Sequence, residues 1–176
     1  FLKKDGELET ACRERLKKIS YEIVSDDVYK KMSDTVTPQG ILSVIAIKEA
    51  GLADLLKAAE NPLFVLLENL QDPGNLGTIL RTAEGAGVTG IIMSKDCVDI
   101  YNPKVIRSTM GSVYRVPHFY TEDLHGVMDE LKKKGITVYA AALDSSEIYD
   151  TYSYMEGSAF LIGNEGNGLR PETIAK

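Results

Sequence analysis

From residue 63 onward the chain alternates between short apolar runs and longer segments whose apolar positions recur every three or four residues. The apolar runs predict strands over 63–68, 88–94, 114–119, 136–143 and 158–162. The helical-period segments predict helices over 75–85, 103–109 and 121–134. In the last of these Leu124, Val127, Met128 and Leu131 share one face, and Gly135 stands where the helix should stop. Strands alternating with helices predict an α/β fold, a mostly parallel sheet with helices on both faces. In open sheets of this kind, ligands bind beyond the carboxyl ends of the strands.

The first third is less regular. Residues 7–18 read as a helix, 19–25 as a strand, and Asp26-Asp27 as the start of a short helix through Lys31. A turn at Pro38-Gln39-Gly40 leads into the apolar run 41–47, which reads as a strong strand. Residues 52–60 read as a helix or connecting segment. The pattern predicts a partial α/β domain over 1–50, a linker over 51–61 and a main domain over 62–176.

Composition narrows the function. The hydrophobic share is 44%, enough for a buried core. The longest apolar runs fit buried strands and fall short of the roughly 18 residues of a membrane helix. Net charge is −6, unlike a domain that binds nucleic acid through a broadly basic surface. Residues 121–176 hold ten acidic and five basic residues, whereas 61–120 hold five of each. The negative charge is therefore local, and a basic patch elsewhere is compatible with it. Cys12 and Cys97 stand far apart, without a CxxC, and indicate a reducing, cytoplasmic setting. His118 and His125 have no partners at ligand spacing, so no metal site is expected.

Three predicted strand ends carry unusual chemistry. In LENLQDPGNLGTILRTAEGAGV (67–88), Gly74 and Gly77 permit close approach of backbone to ligand. Asn75 is placed to cap the following helix, and Arg81 lies nearly two turns further on, within reach of a phosphate or carboxylate. A capped helix with a solvated arginine is the plain alternative. In FLIGNEGNGL (160–169), three glycines in six residues make a loop of exposed main-chain groups, with Glu165 either a ligand contact or a turn acid. In NPKVIRSTMGSVYRVP (102–117), Arg107, Ser108 and Arg115 form either a phosphate-facing wall or an ordinary helix and edge strand.

Taken in order, these three segments resemble the SpoU (TrmH) family of RNA 2′-O-ribose methyltransferases, of the SPOUT superfamily, over about residues 63–172. YEIVSDDVYKKMSDTVTPQGILSVI (21–45) resembles the end of the L30e-like substrate-binding domain that precedes the catalytic domain in ribosomal-RNA members. The resemblance implies S-adenosylmethionine as cofactor, a homodimer, and a C-terminal trefoil knot. It implies catalytic roles for Asn75, Arg81 and Glu165, with Glu165 contacting substrate or holding Arg81. It implies cofactor contacts from Leu143, Ile162, Gly163, Asn164, Gly166 and Gly168, and RNA contacts from Arg107, Ser108 and Arg115.

One departure qualifies the match. The family's third motif, Ile-Pro-Met followed by Ser-Leu-Asn-Val-Ser, is not among these 176 residues. Because that motif closes the cofactor pocket and the knot, these residues alone are expected to bind cofactor weakly or not at all. The expected activity is methyl transfer to a ribose 2′-hydroxyl of RNA, with 23S ribosomal RNA favoured. Transfer RNA as substrate, and a non-catalytic RNA-binding module, are the alternatives. A dinucleotide-dependent oxidoreductase is disfavoured, since no GxGxxG follows any strand.

Overall fold

The structure, a computed structural model, describes residues 1–4, 14–47, 50–143 and 148–176. It divides into two compact units, 1–48 and 49–176. Residues 7–13 of the expected first helix, and Cys12 with them, lie outside the described residues.

In the first unit, β1 (Leu2–Lys3) pairs in parallel with β2 (Ile23–Val24). The helix α1 (Asp26–Met32) follows β2. The Ser25 hydroxyl caps it, Asp26 and Asp27 sit in its first turn, and Lys30 and Lys31 in its last, matching the helix dipole at both ends. Tyr29 is its buried anchor. The strand expected over 41–47 does not form: only Ile41 makes a bridge, to Leu2. Val44, Ile45 and Ile47 are all more than half exposed. An apolar β-branched run becomes a strand only where a neighbour accepts its ladder, and among the described residues this run finds one partner.

The second unit is built on five parallel strands: β3 (Leu63–Leu67), β4 (Gly90–Ser94), β5 (His118–Thr121), β6 (Thr137–Ala140) and β7 (Ser158–Ile162). Their order is β5-β4-β3-β7-β6. The chain begins at the sheet's centre, moves out to one edge, restarts at the other edge and returns to the centre. The crossing helices are α3 (Pro73–Gly85), α4 (Pro103–Ser108) and α5 (Leu124–Lys133). One face of the sheet packs on Leu124, Val127, Met128 and Leu131 of α5. The other packs on Leu76, Leu80 and Ala83 of α3 and Val105 of α4. Each such large apolar side chain contributes about 1.5–3 kcal/mol by leaving water.

One boundary differs from expectation for a local reason. The strand expected over 114–119 starts at His118, because Ser112–Tyr114 is drawn into a 3-10 turn. Of the two readings of 52–60, the helix forms as α2 (Leu52–Leu55), whose Leu55 is 3% exposed and touches the space beside Gly90.

The topology has one consequence for function. β3 and β7 are neighbours, paired from Leu63–Ser158 to Leu67–Ile162. The strand order reverses between them, so their carboxyl ends flank the crevice where such sheets bind ligands. The two glycine-containing turns, 68–75 and 163–169, leave the sheet from those two ends.

Candidate active site

The first turn is held by its own helix. Asp72, not Asn75, is the N-cap of α3: its carboxylate accepts from the Asn75 N–H at 2.8 Å, and Pro73 occupies the first helical turn. A proline with its fixed φ starts a helix well, so α3 begins two residues before the expected point. This leaves the Asn75 side chain free of capping duty and exposed.

The second turn is locked onto the first by Glu165. Its carboxylate accepts from the N–H groups of Asp72 at 2.8 Å and Gln71 at 3.1 Å, and from Asn75 Nδ2 at 3.3 Å. Partial burial works to raise the Glu165 pKa. The N–H groups of Asp72 and Gln71, with Asn75, outweigh it, and the net shift is downward. Glu165 therefore holds Asn75 and the start of α3; among the described residues it makes no contact with Arg81.

Asn164 closes the loop itself. Its Nδ2 donates to the Asn69 carbonyl at 2.9 Å, and its Oδ1 accepts from the N–H groups of Gly166 and Asn167, both at 3.0 Å. Its backbone pairs with Gly168 in both directions. These bonds fix the loop's shape. Gly163 has a sharper requirement: a Cβ there would lie 2.2 Å from the Gly168 carbonyl carbon. Leu143, expected at the edge of the cofactor wall, is fully exposed just beyond β6.

Gly77, Arg81 and Glu84 lie on the side of α3 that meets α4 and the turn after it. At one end, a Cβ on Gly77 would lie 1.8 Å from Ser108 Oγ, and Ser108 Oγ donates to the carbonyls of Val105 and Pro73. At the other end, Glu84 accepts from Ser112 Oγ at 2.5 Å and from both Nε and Nη2 of Arg115. Between these ends the backbone turns through Met110 and Gly111, at φ 52° and 89°. Arg81 is exposed and makes no hydrogen bond or ion pair among the described residues. Arg107 is also exposed, at the end of α4. Two of the three expected RNA contacts are therefore engaged internally: Ser108 packs α4 on α3, and Arg115 is paired with Glu84.

Hydrogen bonds from Arg115 and then Ser112 hold the Glu84 carboxyl down at about 2, from an ordinary 4.5. A depressed carboxyl stabilises the fold above its unfolded pKa and loses that contribution as pH falls through its folded one. Glu84→Gln is therefore expected to lower the thermal midpoint most at pH 5–7. The gap to wild type should close between about pH 4.5 and 2. A gap that stays constant down to pH 2, followed by circular dichroism, would exclude the ion pair as its source.

Sequence reading missed a layer behind the loops. Glu68, at the end of β3, is 2% exposed and accepts from Arg170 N at 2.8 Å and Thr173 Oγ1 at 2.6 Å. The Thr173 proton goes to Glu68, so at the 2.7 Å His125 contact it is His125 Nε2 that donates. Asp96 accepts from Ser94 Oγ and pairs with Arg170. A polar cavity of about 340 Å³ opens there, lined by Glu68, Asp96, His125 and Arg170 among others. The available signal was an acid ending an apolar strand, followed by Asn69 in a left-handed conformation, φ 53°. Among the described residues no cluster of three or more His, Cys, Asp or Glu is arranged to hold a metal ion.

Comparison with known proteins places this geometry in context. Residues 62–176 match the SpoU rRNA Methylase family. The chain is 34% identical over 154 residues to the 23S rRNA (guanosine(2553)-2′-O)-methyltransferase of Bacillus subtilis, covering 88% of this chain and 59% of that protein. It is 42% identical over 107 residues to the human mitochondrial rRNA methyltransferase 3, covering 59% of this chain and 26% of the relative. The AdoMet-bound rRNA methyltransferase of Sinorhizobium meliloti superposes with a TM-score of 0.77 at 31% identity, over 88% of this chain and 59% of that one. The SpoU methyltransferase AviRb of Streptomyces viridochromogenes shares the fold at a TM-score of 0.84 and 24% identity, over 99% of this chain and 67% of that one. The chain spans about three fifths or less of the curated relatives it matches.

Proposed function

The chain belongs to the SpoU rRNA Methylase family, and on that footing we propose that it transfers a methyl group from S-adenosylmethionine to a ribose 2′-hydroxyl of RNA, large-subunit ribosomal RNA being the favoured substrate. The observation that carries the reading is the Glu165 bridge. It fixes the amide of Asn75 and the start of α3 against the glycine loop at the switch point of the sheet. An unpaired guanidinium, Arg81, stands on the same helix.

The residues present suit the cofactor. Gly163, Gly166 and Gly168 leave main-chain groups of the loop unshielded by side chains, Ile162 ends the strand that enters it, and Leu143, exposed beyond β6, is the further apolar contact this reading assigns. Asn164 serves by holding that loop in shape. The sulfonium of bound S-adenosylmethionine supplies an already activated methyl donor, so the protein's part is placement and charge. Arg81 binds the phosphate next to the target ribose. Its guanidinium stays protonated near neutral pH, so it acts as a fixed charge. Asn75 orients the ribose hydroxyl, and Glu165 fixes Asn75. Arg107 adds a second phosphate contact. The reading carries with it the trefoil knot, homodimer and cytoplasmic location that the family resemblance implies, and residues 1–50 as part of an RNA-binding domain.

The test is methyl transfer by the full-length protein from labelled S-adenosylmethionine to unmodified ribosomal or transfer RNA, followed by alkaline hydrolysis. A 2′-O-methyl blocks cleavage of the next phosphodiester, so label is expected in alkali-resistant dinucleotides. Label in ordinary mononucleotides means base methylation and overturns the site assignment. No label with either RNA overturns catalysis in favour of a binding module.

A further inference from the structure

Arg81 and Glu84 are three apart on α3, the spacing at which a helix forms an ion pair. They do not pair. The Glu84 carboxylate is already filled: Arg115 reaches it through two guanidinium nitrogens, and Ser112 Oγ donates to it at 2.5 Å. Arg81, one turn away, is left without a partner among the described residues. We infer that Arg115 is a positioning residue, which holds the Glu84 carboxylate away from Arg81 and so keeps the Arg81 guanidinium available for RNA phosphate. The inference rests on the role proposed above for Arg81.

The chemistry favours this division of partners. A guanidinium fork binds a carboxylate at two points with fixed geometry, and the Ser112 hydroxyl donates to one of the two oxygens, Glu84 Oε2. A helix-surface pair at three-residue spacing has neither advantage and is weaker. Glu84 therefore remains with Arg115 while Arg115 is present. Remove Arg115 and the nearest free guanidinium along the helix is Arg81. Ser112 still holds one end of the carboxylate, which keeps it on this side of α3. The arrangement also gives a role to an arginine of the expected phosphate-facing wall that is paired within the protein: Arg115 acts on RNA through Glu84 and Arg81.

A purely structural role for Arg115 and a guarding role give opposite results in one double-variant series, run on the full-length protein. Arg115→Ala is expected to lower kcat/KM for RNA about two- to threefold, the occupancy change that a helix-surface ion pair produces. The loss should fall in KM more than in kcat. Adding Glu84→Gln should restore the wild-type value, since no carboxylate is then left to capture Arg81. Glu84→Gln alone should stay near wild type, and Arg115→Lys, which keeps the charge but not the two-point grip, should fall between wild type and Arg115→Ala. In ¹⁵N spectra the Arg81 Nε–H should exchange quickly in wild type, slowly in Arg115→Ala, and quickly again in the double variant. If the double variant is as impaired as Arg115→Ala or worse, with both still folded by circular dichroism, the guarding role is wrong. Loss of activity in Arg115→Ala with unchanged Arg81 exchange also overturns it. Full-length wild-type protein without 2′-O-methyl transfer would instead overturn the functional reading itself, a separate outcome read before any variant is made in that protein.

Discussion

Arg81→Ala is expected to lower kcat/KM by roughly a hundred- to a thousandfold, the scale on which a single preorganised charge acts in a transition state. The fold should not notice. Arg81 is exposed and makes no hydrogen bond or ion pair among the described residues. Surface changes of that kind stay within about 0.5 kcal/mol, so the thermal midpoint should move by no more than a degree or two. Alanine is also the better helix former. Arg81→Lys should recover part of the loss, because it keeps the charge but not the two-point grip on a phosphate. Binding of S-adenosylmethionine should be unchanged, since its proposed contacts come from the 163–168 loop. The check is single-turnover methyl transfer beside a melting curve. Turnover within about fivefold of wild type would remove Arg81 from the site. A large fall in melting temperature would mean that Arg81 has a structural partner the geometry does not show.

The sequence made the sheet legible because its central strands are largely buried and its helices bury one face only. Continuous runs such as Leu63–Leu67 and Gly90–Ser94 read as strands without reference to anything else. The periodic face of Leu124, Val127, Met128 and Leu131 read as a helix for the same reason. Propensity failed where partners decide. Residues 41–47 have the composition of a strand, and among the described residues only Ile41 makes a bridge, with Leu42 bonded to Phe1 beside it. For 52–60 the pattern left helix and connecting segment open, and the burial of Leu55 decides for the helix. At the site, residue types and spacing pointed to Asn75, Arg81 and Glu165, but not to how they relate. The Glu165 bridge to Gln71 and Asp72 joins turns more than ninety residues apart, and no local pattern encodes such a bond. The same limit hid the Glu84–Arg115 pair, so Arg115 looked like a free cation. Ser108 looked like a ligand contact because nothing in the sequence says that Gly77 lies against it.

Gly163→Ala should be the most destructive single-methyl change in the second unit. An added Cβ would lie 2.2 Å from Gly168 C, 2.4 Å from Gly168 O and 2.4 Å from Leu169 N. All three are backbone atoms, so no rotamer change relieves the contact. The loop itself must move, and it is tied down. Gly168 and Asn164 exchange backbone hydrogen bonds at 2.9 and 2.8 Å, and the next residue, Leu169, is buried in the core. Overpacking that side chains can absorb costs about 1–3 kcal/mol. Here the cost is expected at or above the top of that range, roughly 10 °C of melting temperature for a unit of this size. The shift also pulls Asn164 from Asn69 and Glu165 from the start of α3, so S-adenosylmethionine binding and methyl transfer should fall together. Gly166→Ala is the control in the same loop. Its Cβ would meet only Asn164 Oδ1, at 3.6 Å, an ordinary contact, and its melting temperature should stay within about 2 °C of wild type. Equal melting temperatures for Gly163→Ala and wild type would show that the loop can open at Gly168. In that case the close passage of Gly163 against Gly168 does not hold Glu165 in place, and the rigidity assigned to the Asn75 amide loses its source.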